Sequence, residues 1–201
     1  MARERTDVTT DQSQTDNVMA DAHKSMLPNI IRRFLLPRFL VSVYYYLKFG
    51  AKISPRAEVE LSSNLKFGRG CTISSFTKIK AAEGPLTIGN RCGFGTGCFI
   101  SSGEKGLVIG DNLVCGPNVV IMASSYRYES LGVHLRDQGA TSKGARIGNN
   151  VWIGAGSVVL DGSDIGDDSI IVANSLVSRH HPPNTVLQGN PAKPMRSFHR
   201  K

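Results

Sequence analysis

The chain has 201 residues, enough for one substantial domain with a small appendage. Its 24 Lys+Arg against 16 Asp+Glu give a formal charge of +8, which points to anionic partners such as nucleic acid, an acidic membrane or a phosphorylated small molecule. No basic cluster forms a nucleic-acid arm and aromatics do not interleave with basic residues in the repeats. The four cysteines, Cys71, Cys92, Cys98 and Cys115, lack CxxC spacing and read as small core fillers, not as a metal centre or disulfide framework.

Residues 1–25 are polar, rich in Thr, Asp and Gln and without a period, and read as a flexible tail. The start has no charged region, apolar run and cleavage site of a secretory leader, so a cytoplasmic location is expected. Residues 26–49 change character abruptly. They are apolar and aromatic, spaced with Arg32, Arg33, Arg38 and Lys48, and Pro28 and Pro37 would start or break helices. The run is too interrupted for a membrane-spanning helix. It reads as short amphipathic helices over one end of the fold, and as a segment that could touch a membrane surface peripherally.

From residue 50 to 188 a six-residue beat takes over. An apolar residue precedes glycine at Phe67-Gly68, Ile88-Gly89, Ile109-Gly110, Ile147-Gly148 and Ile165-Gly166. The apolar marker returns twice more in each unit: Phe67/Ile73/Ile79, Ile88/Phe94/Ile100, Ile109/Cys115/Ile121, Ile147/Ile153/Val159 and Ile165/Ile171/Val177. Six is not a helical period. Three short strands per coil, each ending in a tight turn, satisfy it with one side chain per face pointing into a prism-shaped core. Gly, Asn and Asp then fall at the corners, where the backbone needs unusual angles. The expected architecture is all-β, a parallel β-helix of about 18 residues per coil. Between Ile121 and Ile147 the beat stops, and residues 123–145 read as one long loop inserted between coils, the place where function is expected. Residues 189–201 end the chain as a basic tail.

The ordered repeats, the loop and the ending Gly189-Asn190-Pro191-Ala192-Lys193 together resemble the hexapeptide-repeat acyltransferase superfamily, nearest its sugar and polysaccharide O-acetyltransferase branch. The resemblance implies a left-handed coil, against the usual right-handed crossover. It also implies a homotrimer that binds acetyl-CoA in grooves between prisms. The backbone at Gly154, Ala155 and Ala173 would then meet the pantetheine arm, and Lys193 with Arg196 the cofactor phosphates. Small turn residues allow close backbone approach, and lysine is a good phosphate partner. The acceptor would be a sugar or glycan hydroxyl, lipid- or nucleotide-linked. Trp152 is expected to pack, and His180 and His181 to lie on the surface.

A hydroxyl acceptor needs a general base. The family places a histidine at the start of the loop, and the matching position here is Tyr126, within Ala123-Ser124-Ser125-Tyr126-Arg127-Tyr128. Tyr126 and His134, in the same loop, are therefore the candidate catalytic residues, with Glu129 and Asp137 as carboxylates that could orient a base. One alternative follows from the departure at Tyr126, a weak or inactive protein that binds a ligand on this scaffold; another, N-acylation of an amino sugar, is a reaction that the same scaffold could support.

Overall fold

The computed structural model describes residues 38–197; the expected tail 1–25, the first half of the apolar segment (26–37) and residues 198–201 lie outside the described residues. The chain enters on a helix, Arg38–Phe49, the one helix among the described residues. Its anchor is Tyr45, 3% exposed. The Tyr45 ring stacks on Phe49 at 6.0 Å and tilts against Phe67 at 5.4 Å, and its hydroxyl donates to the Glu60 carbonyl at 3.2 Å.

After the helix the chain winds through three parallel sheets in rotation. Face A begins at Lys52–Ile53 and continues through Thr72–Ile73, Gly93–Phe94, Val114–Cys115, Trp152–Ile153, Ile170–Ile171 and Thr185–Gln188. Face B runs from Glu58–Val59 to Leu176–Val177, and face C from Leu65–Phe67 to His180–His181, six strands each. The strands are two to four residues long because each face of the prism holds only one inward side chain per coil. Those inward positions are the sequence markers: Ile73, Phe94, Ile153 and Ile171 on face A, Ile79, Ile100, Ile121 and Val177 on face B, and Ile88, Ile109, Ile147 and Ile165 on face C, all fully buried. Each such side chain stabilises the stack by roughly 1.5–3 kcal/mol relative to exposure.

The corners carry a second layer of small buried side chains. Cys71, Cys92 and Cys98 each direct Sγ to a carbonyl of the next coil, at Gly89, Gly110 and Gly116, all at 3.2 Å. All four cysteines are free and buried, and burial pushes the Cys98 and Cys115 thiols up, so they fill space rather than attack substrates. Among the described residues no cluster could hold a metal ion.

Corners differ by what they must accommodate. Extra residues gather where face B turns to face C: residues 60–64, 81–85, 102–106 and 123–144. In the last of these, Ser125–Tyr126 and Ala140–Thr141 pair antiparallel as a sheet of their own. At the far end Lys193–Ser197 folds back antiparallel on Thr185–Gln188, closing face A within the stretch read from sequence as a tail.

His181 corrects the sequence reading. It was expected on the surface, yet it is 3% exposed, stacked in register on Ile165 at an inward position of face C. The final coil is two residues shorter than the beat, which brings His181 where an aliphatic residue would stand. Its Nε2 has no hydrogen-bond partner. His180 does stay exposed, with Nδ1 2.9 Å from Asp164 Oδ2.

Two outcomes follow. A Cβ at Gly110 would lie 2.6 Å from Asn149 Oδ1 and 2.8 Å from the Gly148 carbonyl carbon, so Gly110→Ala should cost about 2 kcal/mol in guanidinium unfolding. Burial, then the charges of Arg179 and His180, hold the His181 imidazole below its ordinary 6.5. The unfolded chain therefore takes up this proton first, and stability is lost as pH falls through 6.5 and below. Replacing the imidazole, His181→Leu, should raise stability by about 1 kcal/mol and flatten the unfolding midpoint between pH 7 and 5.

Candidate functional site

The corner between faces A and B is built from the smallest residues in the chain. Successive coils place Gly95-Thr96-Gly97, Gly116-Pro117-Asn118, Gly154-Ala155-Gly156 and Ala173-Asn174 there. Gly97, Asn118, Gly156 and Asn174 all have φ between +57° and +74°, which is why only Gly and Asn occupy them. Gly116 and Gly154 are required by proximity. A Cβ on Gly116 would lie 2.7 Å from Ala155 N, and one on Gly154 2.8 Å from Ala173 Cα.

A backbone ladder runs down this corner: Asn118 N–H to Thr96 O (2.8 Å), Gly156 N–H to Pro117 O (3.0 Å) and Asn174 N–H to Ala155 O (2.9 Å). The N–H groups of Ala155 and Ala173 take no part in it and donate to no acceptor among the described residues. Ala155 is half-buried and Ala173 exposed, one coil apart. The corner thus carries two backbone donors with no acceptor among the described residues, one coil apart and set among small turn residues and Val172. The arrangement is suited to an extended ligand bearing amide or thioester carbonyls.

Lys193 lies at the end of the same column. It is exposed and pairs with Gln188, in the strand stacked directly beyond Ile171. Arg196 pairs through its backbone with Val186, and its side chain lies outside the described residues. Trp152, expected to pack, is 54% exposed on the outer surface of face A, because its neighbour Ile153 takes the inward position.

The candidate bases stand elsewhere. Tyr126 and His134 are both exposed and belong to residues 123–144, which leave the corner between faces B and C. Within one chain they are separated from Ala155 and Ala173 by the whole of face B. Glu129 Oε2 accepts from the Tyr128 N–H at 3.2 Å, and the Asp137 N–H donates to the His134 carbonyl at 2.9 Å. Neither carboxylate bonds the His134 imidazole among the described residues.

What shapes this loop is Gln138. Its Nε2 donates to the carbonyls of Ser130 and Val133, both at 3.0 Å, and its Oε1 accepts from the Ser130 N–H at 3.0 Å. The loop base is closed by Asp161, which accepts from the N–H groups of Lys143 and Gly144, and by the Ser142 hydroxyl on the Ala123 carbonyl at 2.7 Å. Asp161 has no sequence signal beyond its register, since its role depends on a coil 18 residues away.

Comparison with known proteins agrees with this architecture. Residues 144–179 match the family described as bacterial transferase hexapeptide (six repeats), and residues 85–123 the hexapeptide repeat of succinyl-transferase. Galactoside O-acetyltransferase of Escherichia coli is 39% identical over 93 residues, which cover 46% of this chain and 44% of that protein. The chain thus spans about half the length of the relatives it matches. Among solved structures, the N-acyltransferase AntD from Bacillus cereus, in complex with dTDP and 3-hydroxybutyryl-CoA, superposes with a TM-score of 0.67 at 16% identity, covering 79% of this chain and 88% of that one. PerB from Caulobacter crescentus, in complex with CoA and GDP-perosamine, gives 0.54 at 22% identity, covering 73% and 57%. At these identities the structural likeness is one of fold. The chain carries the hexapeptide-repeat fold of the CoA-binding acyltransferases.

Proposed function

We propose that the protein is an acyl-CoA-dependent acyltransferase acting on a sugar, with an amine of a nucleotide-linked amino sugar as the acceptor. The observation that carries this is the pair of free N–H donors at Ala155 and Ala173 on a corner kept open by Gly116 and Gly154. A CoA thioester, when bound, supplies an activated acyl group. The chain's part is to hold the donor: Ala155 and Ala173 meet the carbonyls of its arm, and Lys193, with Arg196, meets its phosphates. Acetyl is the proposed acyl group.

The choice of amine rests on chemistry at Tyr126. A neutral hydroxyl is a weak nucleophile that must lose its proton to a base as it attacks. An amine in its free-base form attacks the thioester carbonyl unaided, and the proton it then sheds leaves with CoA as the free thiol. The chain has tyrosine where a base is wanted, and the one solved relative named above as an N-acyltransferase, AntD, shares the fold. O-acylation is the second reading, favoured by the sequence likeness to the galactoside enzyme, and it would call on His134.

Assembly is part of the proposal. Base loop and donor corner lie at different corners of one prism, so a second copy is needed to bring them together. Phe99, Val120, Val158 and Leu176 stand in register on face B at alternate positions to the buried markers, an outward apolar stripe suited to self-association. We read the coil as left-handed, the assembly as a homotrimer, and the chain as tail 1–25, amphipathic segment 26–49, solenoid 50–188 and basic end 189–201.

Ala155 and Ala173 occupy the position that Pro117 holds one coil earlier. Ala155→Pro and Ala173→Pro therefore remove the donors with little change of backbone, and each should weaken CoA binding about tenfold in calorimetry at unchanged melting temperature. If CoA does not bind the wild-type chain at all, the enzyme reading fails and the ligand-binding alternative stands. Free-thiol release with acetyl-CoA should be faster with amino than with hydroxy nucleotide sugars. On an amine, His134→Ala and Tyr126→Phe should each change kcat/KM by less than about tenfold; a loss of 10²–10⁴ in His134→Ala would instead identify a base and favour O-acylation.

A further inference from the structure

The helix Arg38–Phe49 is held by one side and bare on the other. At about 100° per residue, Tyr46, Phe39, Val43, Leu47, Leu40 and Tyr44 fall on one continuous arc of about 160°. All six are exposed, Leu47 at 78% and Phe39 at 55%, and no charged side chain interrupts them. The buried Tyr45 lies on the opposite side. Beside the arc, an apolar groove of about 510 Å³ runs between Val43 and Tyr46 of the helix and Ala51, Lys52, Ile53 and Ile73 of the first coils.

The positive charge of the chain is concentrated in the sequence on either side of this helix. From residue 22 to residue 57 there are seven basic residues and no acidic one: Lys24, Arg32, Arg33, Arg38, Lys48, Lys52 and Arg56. The remaining 17 basic and 16 acidic residues nearly cancel. The whole excess positive charge thus lies in the sequence around the apolar arc. Lys48 shows how the two fit together. Its Nζ lies 5.3 and 5.2 Å from the ring centroids of Tyr44 and Phe49 and donates to the Tyr44 hydroxyl at 2.9 Å. This is how a cation at the edge of an apolar face keeps its head in a polar layer.

We propose that this face docks on the surface of an anionic lipid bilayer, with the arc in the headgroup–acyl boundary and Lys48, Lys52 and Arg56, all exposed, against the headgroups. Charge complementarity selects the occupant. A nucleic acid would use the cations and leave six apolar side chains in water. An uncharged apolar protein face would cover the arc and leave Lys48, Lys52 and Arg56 unmatched. An anionic bilayer satisfies both, and tyrosines such as Tyr44 and Tyr46 suit the interface, with an apolar ring and a polar tip. No helix among the described residues is long and apolar enough to cross a membrane, so the contact is peripheral. The inference does not depend on acyl transfer; it concerns the end of the prism away from Ala173 and Lys193.

Sedimentation of the full chain with vesicles tests it. Binding to equimolar phosphatidylcholine–phosphatidylglycerol vesicles should exceed binding to phosphatidylcholine alone by about tenfold or more and weaken with added salt. Phe39→Glu with Leu47→Glu, both at exposed positions, should abolish binding while leaving the melting temperature and CoA affinity unchanged. Lys48→Glu with Lys52→Glu keeps the arc and should remove the preference for anionic lipid. Failure of the wild-type chain to sediment with anionic vesicles would overturn the proposal, as would equal binding by the Phe39/Leu47 variant. A change in oligomeric mass in that variant, with lipid binding intact, would assign the face to a second copy instead.

Discussion

Stacking of one coil on the next through backbone hydrogen bonds is the constraint from which the rest of this molecule follows. Each corner must bring two peptide groups within hydrogen-bond distance while turning the chain. A side chain on the inner edge of that turn would occupy the space of the neighbouring peptide, as at Gly110 against Gly148 and Gly116 against Ala155. Where the backbone also needs positive φ, Gly and Asn serve with least strain and fill most such positions, with Phe76 (φ +63°), Arg91 (φ +54°) and Asp168 (φ +56°) as the exceptions among the described residues. The repeat of small corner residues is thus a steric requirement before it is anything else.

The same requirement supplies the chemistry. A corner stripped of side chains for the sake of stacking exposes its own amides, and two of these, at Ala155 and Ala173, are left without internal partners. A ligand with carbonyls spaced along an extended arm can use them with no dedicated side chain. Pro117, which has no N–H, shows that the fold itself does not need a donor at that position. The donors are therefore separable from stability, which makes this scaffold readily adapted to a thioester-linked carrier.

The loop follows a different logic. It departs from the corner between faces B and C, where every early coil already carries extra residues, and it is held by Gln138 and Asp161 rather than by a core. Its candidate groups are exposed, and the loop leaves a different corner from the one that carries Ala155 and Ala173. On the proposed reading catalysis by Tyr126 or His134 would need an assembly, whereas the two backbone donors, Ala155 and Ala173, both lie within one prism.

Much of this was legible in the amino-acid order. The six-residue beat identifies every inward side chain from Phe67 to Val177, because a prism admits one apolar residue per face and per coil, and this periodicity survives without knowledge of long-range contacts. It also locates the break after Ile121. The beat says nothing of His181, whose burial follows from a final coil two residues short of the repeat, nor of Trp152, which faces outward. The family resemblance, not the beat, names Gly154, Ala155 and Ala173. Neither says that the amides of Ala155 and Ala173 lack an acceptor among the described residues, since that depends on which carbonyl of a coil 18 or more residues away each N–H meets. The sequence alone determined the period, the core and the concentration of positive charge near the start. Only the tertiary structure decided which corner each group occupies, because corners are defined by the closing of the coil and not by any neighbour in the chain.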